Sequence, residues 1–196
     1  MNSDTYLALA KTDPRTPLLV FSPMIITSVG LALTNGRLSP AAAFALIIAG
    51  IILWTFLEYL LHRFPFHHET EEEPWKLLTS GFHQLHHQMP NRKDTVVAPI
   101  IITVPLYGLI FLLSWAILRN ADAAGLLSSG VASGYLVYEA VHYFAHHGRP
   151  TGAIGRFLKQ YHLTHHFRDH NHYFGVTTPF WDIVFSTKPP LPQEKK

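Results

Sequence analysis

The chain has 196 residues, enough for one domain and too few for two independent cores. Hydrophobic residues make up 48% and charged residues only 14%, against roughly 25% charged in an average soluble domain. A net charge of +2 is too small to suggest nucleic acid as a partner, and the lack of cysteine excludes disulfides, thiolate metal sites and a cysteine nucleophile.

Residues 1–17 carry Asp4, Lys11, Asp13, Arg15 and two prolines, with no signal-peptide pattern. Four apolar stretches follow, and they predict an all-α integral membrane protein. Residues 18–34 form the shortest, at the lower limit for a spanning helix. The second, 40–61, carries one charge, Glu58, near its end. The third, 96–118, is uncharged despite Pro99 and Pro105, which a membrane helix tolerates with a kink. The fourth, 123–145, is rich in Gly, Ser and Ala, small residues that let helices approach closely in lipid.

The connections at 35–39 and 119–122 are very short, so the four transmembrane helices form two hairpins. Of the 15 Lys and Arg, only Arg37 and Arg119 lie in those turns. The positive-inside rule then places both termini and segment 62–95 in the cytoplasm. The expected layout is a cytoplasmic segment 1–17, a single membrane domain 18–188 and a tail 189–196. Within the domain, 62–95 and 146–188 make a cytoplasmic helical cap.

No histidine precedes residue 62, yet ten then fall in four clusters. These are His62/His67, His83/His86/His87, His142/His146 and His162/His165/His166, and the topology gathers them on one membrane face. Neutral imidazole is the commonest metal ligand. Residues three and four apart share a helix face, so the members of each of the last three clusters should point together. His62 and His67 are five apart, and Pro65 between them predicts a bend at Phe64–Pro65 that returns His67 to the site. Ten neutral ligands suit two metal ions with about five each, leaving room for oxygen or water. An all-imidazole set is strongly cationic and favours an electrophilic oxidant, and ten rings exceed what four-coordinate structural zinc uses. The halves also echo one another: each has a hairpin, a His pair and a His-x-x-His-His triplet, with 21 residues from His62 to His83 and 20 from His142 to His162.

EYLLHRFPFHH at 58–68, GFHQLHHQMP at 81–90, GYLVYEAVHYFAHHG at 134–148 and YHLTHHFRDHNHYFGVTTPFWDIVFST at 161–187 resemble the fatty acid hydroxylase superfamily. Within it the chain is most similar to the fatty acid 2-hydroxylases of sphingolipid acyl chains. The resemblance implies a non-haem dimetal site, expected to be di-iron, that uses O₂ and two electrons to hydroxylate C2 of a fatty acid or lipid-linked acyl chain. It implies the ligands His62, His67, His83, His86, His87, His142, His146, His162, His165 and His166, with no other catalytic side chain. Imidazole accepts zinc as readily as iron, so zinc is a second expected occupant of the purified protein. Many eukaryotic relatives carry a fused cytochrome b-type domain with a His-Pro-Gly-Gly motif. None is present in this sequence, and the expected electron source is a separate ferredoxin- or cytochrome-type donor.

His68, His147, His170 and His172 break the spacing of the neighbouring motifs and are read as surface or supporting residues. Glu58 and Glu139 lie one turn before ligands on apolar helices and are candidates to hydrogen-bond a ligand imidazole; snorkelling to the interface is the other reading. Asp169 and Asp182 follow the same logic. Glu69, Glu71, Glu72 and Glu73 read as a solvated loop or a dock for a basic donor. Trp75, Phe82, Tyr161, Phe174, Phe180, Trp181 and Phe185 suggest a cap that anchors at the interface and admits an acyl chain. Carotenoid or sterol oxidation on the same scaffold, and membrane metal transport, are the rival readings; transport sites normally lie near the bilayer midplane rather than beyond the helix ends.

Overall fold

A computed structural model describes residues 3–68, 70–72, 75–76 and 82–189. Glu69 and Glu73 of the acidic run, and most of the tail 189–196, lie outside the described residues. Among those described there are helices and no strand: α1 (Ser3–Ala10), α2 (Thr16–Asn35), α3 (Pro40–Arg63), α4 (Phe82–Gln88), α5 (Ile100–Leu118), α6 (Ala121–His147), α7 (Ala153–Phe167) and α8 (Phe180–Val184). Local chemistry sets the ends. Pro40 opens α3 behind Ser39, whose hydroxyl accepts the Ala42 amide; Asn120 caps α6 through the Ala123 amide. Gly36, at φ 62°, stops α2 in the left-handed conformation that glycine adopts without strain.

Three of the helices, α2, α3 and α5, are long and apolar enough to cross a membrane. Their outward faces expose Leu19, Ile26, Phe44, Ile52, Ile101 and Ile117. The fourth long helix, α6, has 27 residues and is buried along most of its length against α2, α3, α5 and α7. Its composition follows from that position. At Gly130 a Cβ would sit 2.2 Å from the Ile47 carbonyl oxygen, and at Gly50 one would sit 2.1 Å from that of Leu127. Backbones this close admit only glycine. Trp54 fills the notch at Gly134 and packs edge-on against Tyr135 and Tyr138.

Asp122 ties the two hairpins together at the end remote from the histidines. It accepts from Asn35 Nδ2 at 2.8 Å and lies 3.7 Å from the Arg37 guanidinium. At the other end Glu139 accepts the Ala98 amide at 2.9 Å. The expected helix over 96–118 therefore begins late: residues 96–99 form a bent, non-helical strap tied to α6 through Ala98. Pro99 disfavours helix for the residue before it, so α5 starts at Ile100.

Candidate metal centre

The helix ends deliver the imidazoles. α3 stops at Arg63, and the turn over 64–67 carries His67 back beside His62, with ring centroids 5.3 Å apart. That is the bend expected at Phe64–Pro65. All ten cluster histidines converge, in two groups of five whose nitrogens lie within 4.8 Å of one another. One group is His62, His67, His83, His87 and His165; the other is His86, His142, His146, His162 and His166.

The triplets do not act as the spacing suggested. In α4, His83 and His87 serve the first group while His86 crosses to the second. In α7, His162 and His166 serve the second group while His165 crosses to the first. Residues i and i+4 share a face closely, whereas i+3 is rotated enough to reach the adjacent centre. Each group thus takes four rings from its own half of the chain and one from the other half, and the echo in the sequence becomes an exchange of ligands. His87 and His166 stack where the groups meet, with centroids 3.9 Å apart.

Ring nitrogens face each other at close range, as the donor atoms of a shared metal site do. Nε2 of His67 lies 3.0 Å from that of His165, His83 is 3.0 Å from His87, and His146 is 2.9 Å from His162. His62 Nδ1 donates to the Phe174 carbonyl and His165 Nδ1 donates to that of His172 at 2.8 Å. A carbonyl only accepts, so those Nδ1 atoms carry the protons and the Nε2 lone pairs point inward. Nε2 of His62 is buried without a partner, as are both ring nitrogens of His166. Burial, then repulsion from neighbouring rings, lowers the pKa of His83, His86, His162, His165 and His166. Burial also pushes His67 down to about 4 and His87 to about 2. Neutral, inward-aimed imidazoles fit two metal ions.

None of the four carboxylates offered as imidazole partners touches one of these rings. Glu58 accepts the Val176 amide at 2.6 Å, the Thr177 amide at 2.8 Å and the Thr177 hydroxyl at 2.6 Å. Asp182, fully buried, accepts the amides of Phe174 at 2.9 Å and Gly175 at 2.7 Å and the Thr187 hydroxyl at 2.7 Å. Burial raises the Asp182 pKa against the lowering effect of these bonds. The two carboxylates pin segment 172–177, whose carbonyls orient His62 and His165. Tyr173 sits there at φ 62°, a conformation that costs a non-glycine residue energy and turns both carbonyls towards the rings. Asp169 instead pairs with His172 Nδ1 at 2.8 Å, and Glu139 holds the strap. Sequence reading missed the Phe174 and His172 carbonyls, because every residue has one. Gly175 was the available signal: a Cβ there would lie 2.1 Å from the Thr178 oxygen.

His68 and His170 are exposed, and His170 packs 5.1 Å from the His87 ring; His147 and His172 are half-buried. Glu71 and Glu72 are exposed, as expected of a solvated loop. Phe82, Tyr161 and Phe174 are buried around the histidines, whereas Trp75, Phe180 and Phe185 are exposed and Trp181 donates to the Thr55 hydroxyl at 3.0 Å.

A cavity of about 420 Å³ runs between α2, α3, α5 and α6. Leu61, Pro65, Phe66 and Phe82 line it beside the histidines, and Phe21, Tyr107, Ile110 and Val131 line it deeper in the bundle. A second opening of about 390 Å³ reaches the histidines directly, lined by His67, His83, His87, His166 and His170 with Gln84, Gln88, Phe66 and Phe167.

Residues 47–187 match the profile of the fatty acid hydroxylase family. The chain belongs to that family. It is 33% identical to the dihydroceramide fatty acyl 2-hydroxylase FAH1 of Arabidopsis thaliana, over 91% of this chain and 74% of that protein. It is 36% identical to the ceramide very long chain fatty acid hydroxylase scs7 of Schizosaccharomyces pombe, over 90% of this chain and 51% of that protein. Human fatty acid 2-hydroxylase is 34% identical over 74% of this chain and 40% of its own length. A solved structure of full-length scs7p, in which only the hydroxylase domain is visible, superposes with a TM-score of 0.83 at 32% identity, covering 95% of this chain and 72% of that one. As a fatty acid hydroxylase, the chain is an enzyme with a histidine-built metal site and apolar helices suited to a membrane.

Proposed function

We propose that this chain hydroxylates C2 of a fatty acid or lipid-linked acyl chain within the membrane. One oxygen atom of O₂ enters the C–H bond and the other leaves as water, balanced by two protons and two electrons from a separate ferredoxin- or cytochrome-type donor. The observation that carries this reading is the apolar cavity, which ends at Phe66 and Phe82, with the Phe66 ring packed on His62 and His83 of the histidine cluster. The 2-hydroxylases among its relatives support the position attacked.

The ten cluster histidines are the ligands, and the two ions, expected to be iron with zinc as the purification substitute, would supply the oxidising chemistry. The chain's own residues do the rest. α5 leans chiefly on α6, which leaves the cavity open along α5 for an acyl chain to enter from lipid. Trp54, Tyr135, Tyr138 and Ile110 bind it by apolar contact and exclude water from the reacting carbons. The polar head stays on the side of Gln84 and Gln88, so the first carbons beyond it pass the centre. Glu58 and Asp182, through Phe174 and His172, hold the rings in place.

The membrane domain is 18–188, with α6 as a fourth span shielded from lipid by α2, α3 and α5. Its small and polar residues face protein, which makes that path affordable in hydrocarbon. The basic residues put the termini, the cap and the metals on the cytoplasmic side. The test is to supply the iron-loaded chain with acyl lipid, reductant and ¹⁸O₂. The expected product is a 2-hydroxy acyl chain carrying one heavy oxygen by mass spectrometry. Unlabelled or absent product ends the proposal.

A further inference from the structure

Behind α7, on the side away from its histidines, lies a cleft of about 640 Å³ that the hydroxylation chemistry does not use. Its floor is Pro150, Leu163 and Phe167, and its cations are Arg149, Arg156, Lys159 and Arg168. Among the described residues no carboxylate pairs with any of the four; the ion pairs present are Arg37–Asp122, Lys76–Glu71, Arg92–Asp94 and His172–Asp169. Lys159 is held over the cleft by a bond from Nζ to the Gly148 oxygen at 2.9 Å, and Arg156 donates to the Thr151 oxygen. Four cations concentrated without counter-charges repel one another, which an anion would relieve.

The cleft starts at Gly148, the residue that ends α6, so in a spanning bundle it stands at the level of the headgroups. Exposed apolar side chains border it: Phe167 in its wall and Phe144, against which Gly148 packs. An apolar floor under a cationic rim suits an amphiphile better than a small soluble ion. Guanidinium groups match phosphate oxygens in pairs. We propose that this cleft binds an anionic phospholipid, its headgroup phosphate among Arg149, Arg156, Lys159 and Arg168 and its first methylenes on Leu163 and Phe167. The inference rests on the membrane reading of the bundle and not on the reaction.

The experiment equilibrates the metal-loaded full chain in mixed micelles of phosphatidylglycerol and phosphatidylcholine, then counts retained lipid by native mass spectrometry. The parent chain should retain one phosphatidylglycerol in preference to phosphatidylcholine. The double variant Arg149→Gln/Arg156→Gln should bind it about tenfold or more weakly, since charge-assisted bonds are lost. Millimolar glycerol phosphate should not displace it. Equal retention of both lipids by the parent chain overturns the proposal, and needs no variant to fold. Displacement by glycerol phosphate would reassign the cleft to a soluble phosphate and also overturn it. So would an unchanged lipid affinity in the double variant, whether or not that variant binds an acidic [2Fe–2S] ferredoxin more weakly. The readout is bound lipid mass, so a failed hydroxylation assay leaves this result standing.

Discussion

Asp182 is tied to an imidazole it does not touch, through the segment whose Phe174 carbonyl accepts from His62. Its carboxylate takes three donors, two of them the amides that flank the turn presenting Phe174 to His62. Asparagine keeps one acceptor oxygen and presents an NH₂ where the other oxygen received a donor. The Asp182→Asn chain should lose about 1–3 kcal/mol of stability and hold the ion of the His62 group about 10–100-fold less tightly. Metal content after dialysis against graded chelator measures both the loss and which group it strikes. Retention equal to the parent would show that segment 172–177 does not orient the rings. The sequence singled out four acidic residues as partners of the imidazoles, and none of the four bonds to a cluster ring. Glu58 instead takes backbone amides across more than a hundred residues of chain, at Val176 and Thr177, a pairing that no local pattern encodes.

At the scale of helices, the approach of α3 and α6 sets the distance between His62 and His142. Gly50 and Gly130 define it, each lying against the other helix's backbone. Gly50→Ala places a methyl where the Leu127 carbonyl stands, and a backbone atom cannot rotate away. The helices must part, at a cost of about 1–3 kcal/mol or more, with metal loss following. Gly30→Ala, with nothing within 4 Å of the added carbon, is the matched control and should unfold at or slightly above the parent temperature. Thermal midpoints in one detergent compare the two. A Gly50→Ala chain as stable as Gly30→Ala would mean that the contact can relax. The Gly- and Ser-rich composition of 123–145 was visible in sequence, but which glycine meets which helix is a matter of packing.

For the molecule as a whole, the bundle is a sleeve around an apolar cavity, with Phe66 and Phe82 between one end of it and the histidine cluster. Ile110 lies ten residues into α5, roughly 15 Å below its start at 1.5 Å per residue. Because α5 packs chiefly on α6, it can accept bulk there. Ile110→Trp should shorten the preferred acyl chain, with metal content unchanged, read from the product profile of a mixture of chain lengths. An unchanged profile would remove the cavity from the substrate path.

Ten histidines in four motifs, the apolar stretches and the family were all legible along the chain. Periodicity and composition encode those features locally, since helix geometry follows from neighbours along the chain. How the rings are shared, with His86 and His165 exchanged between the two groups, emerged from the packing of separate helices. The same packing brings Glu58 and Asp182 to the segment whose carbonyls meet His62 and His165, and sheathes α6 in its neighbours. Those outcomes depend on where separate helices stop and how closely their backbones approach, which is the balance of packing over the whole bundle.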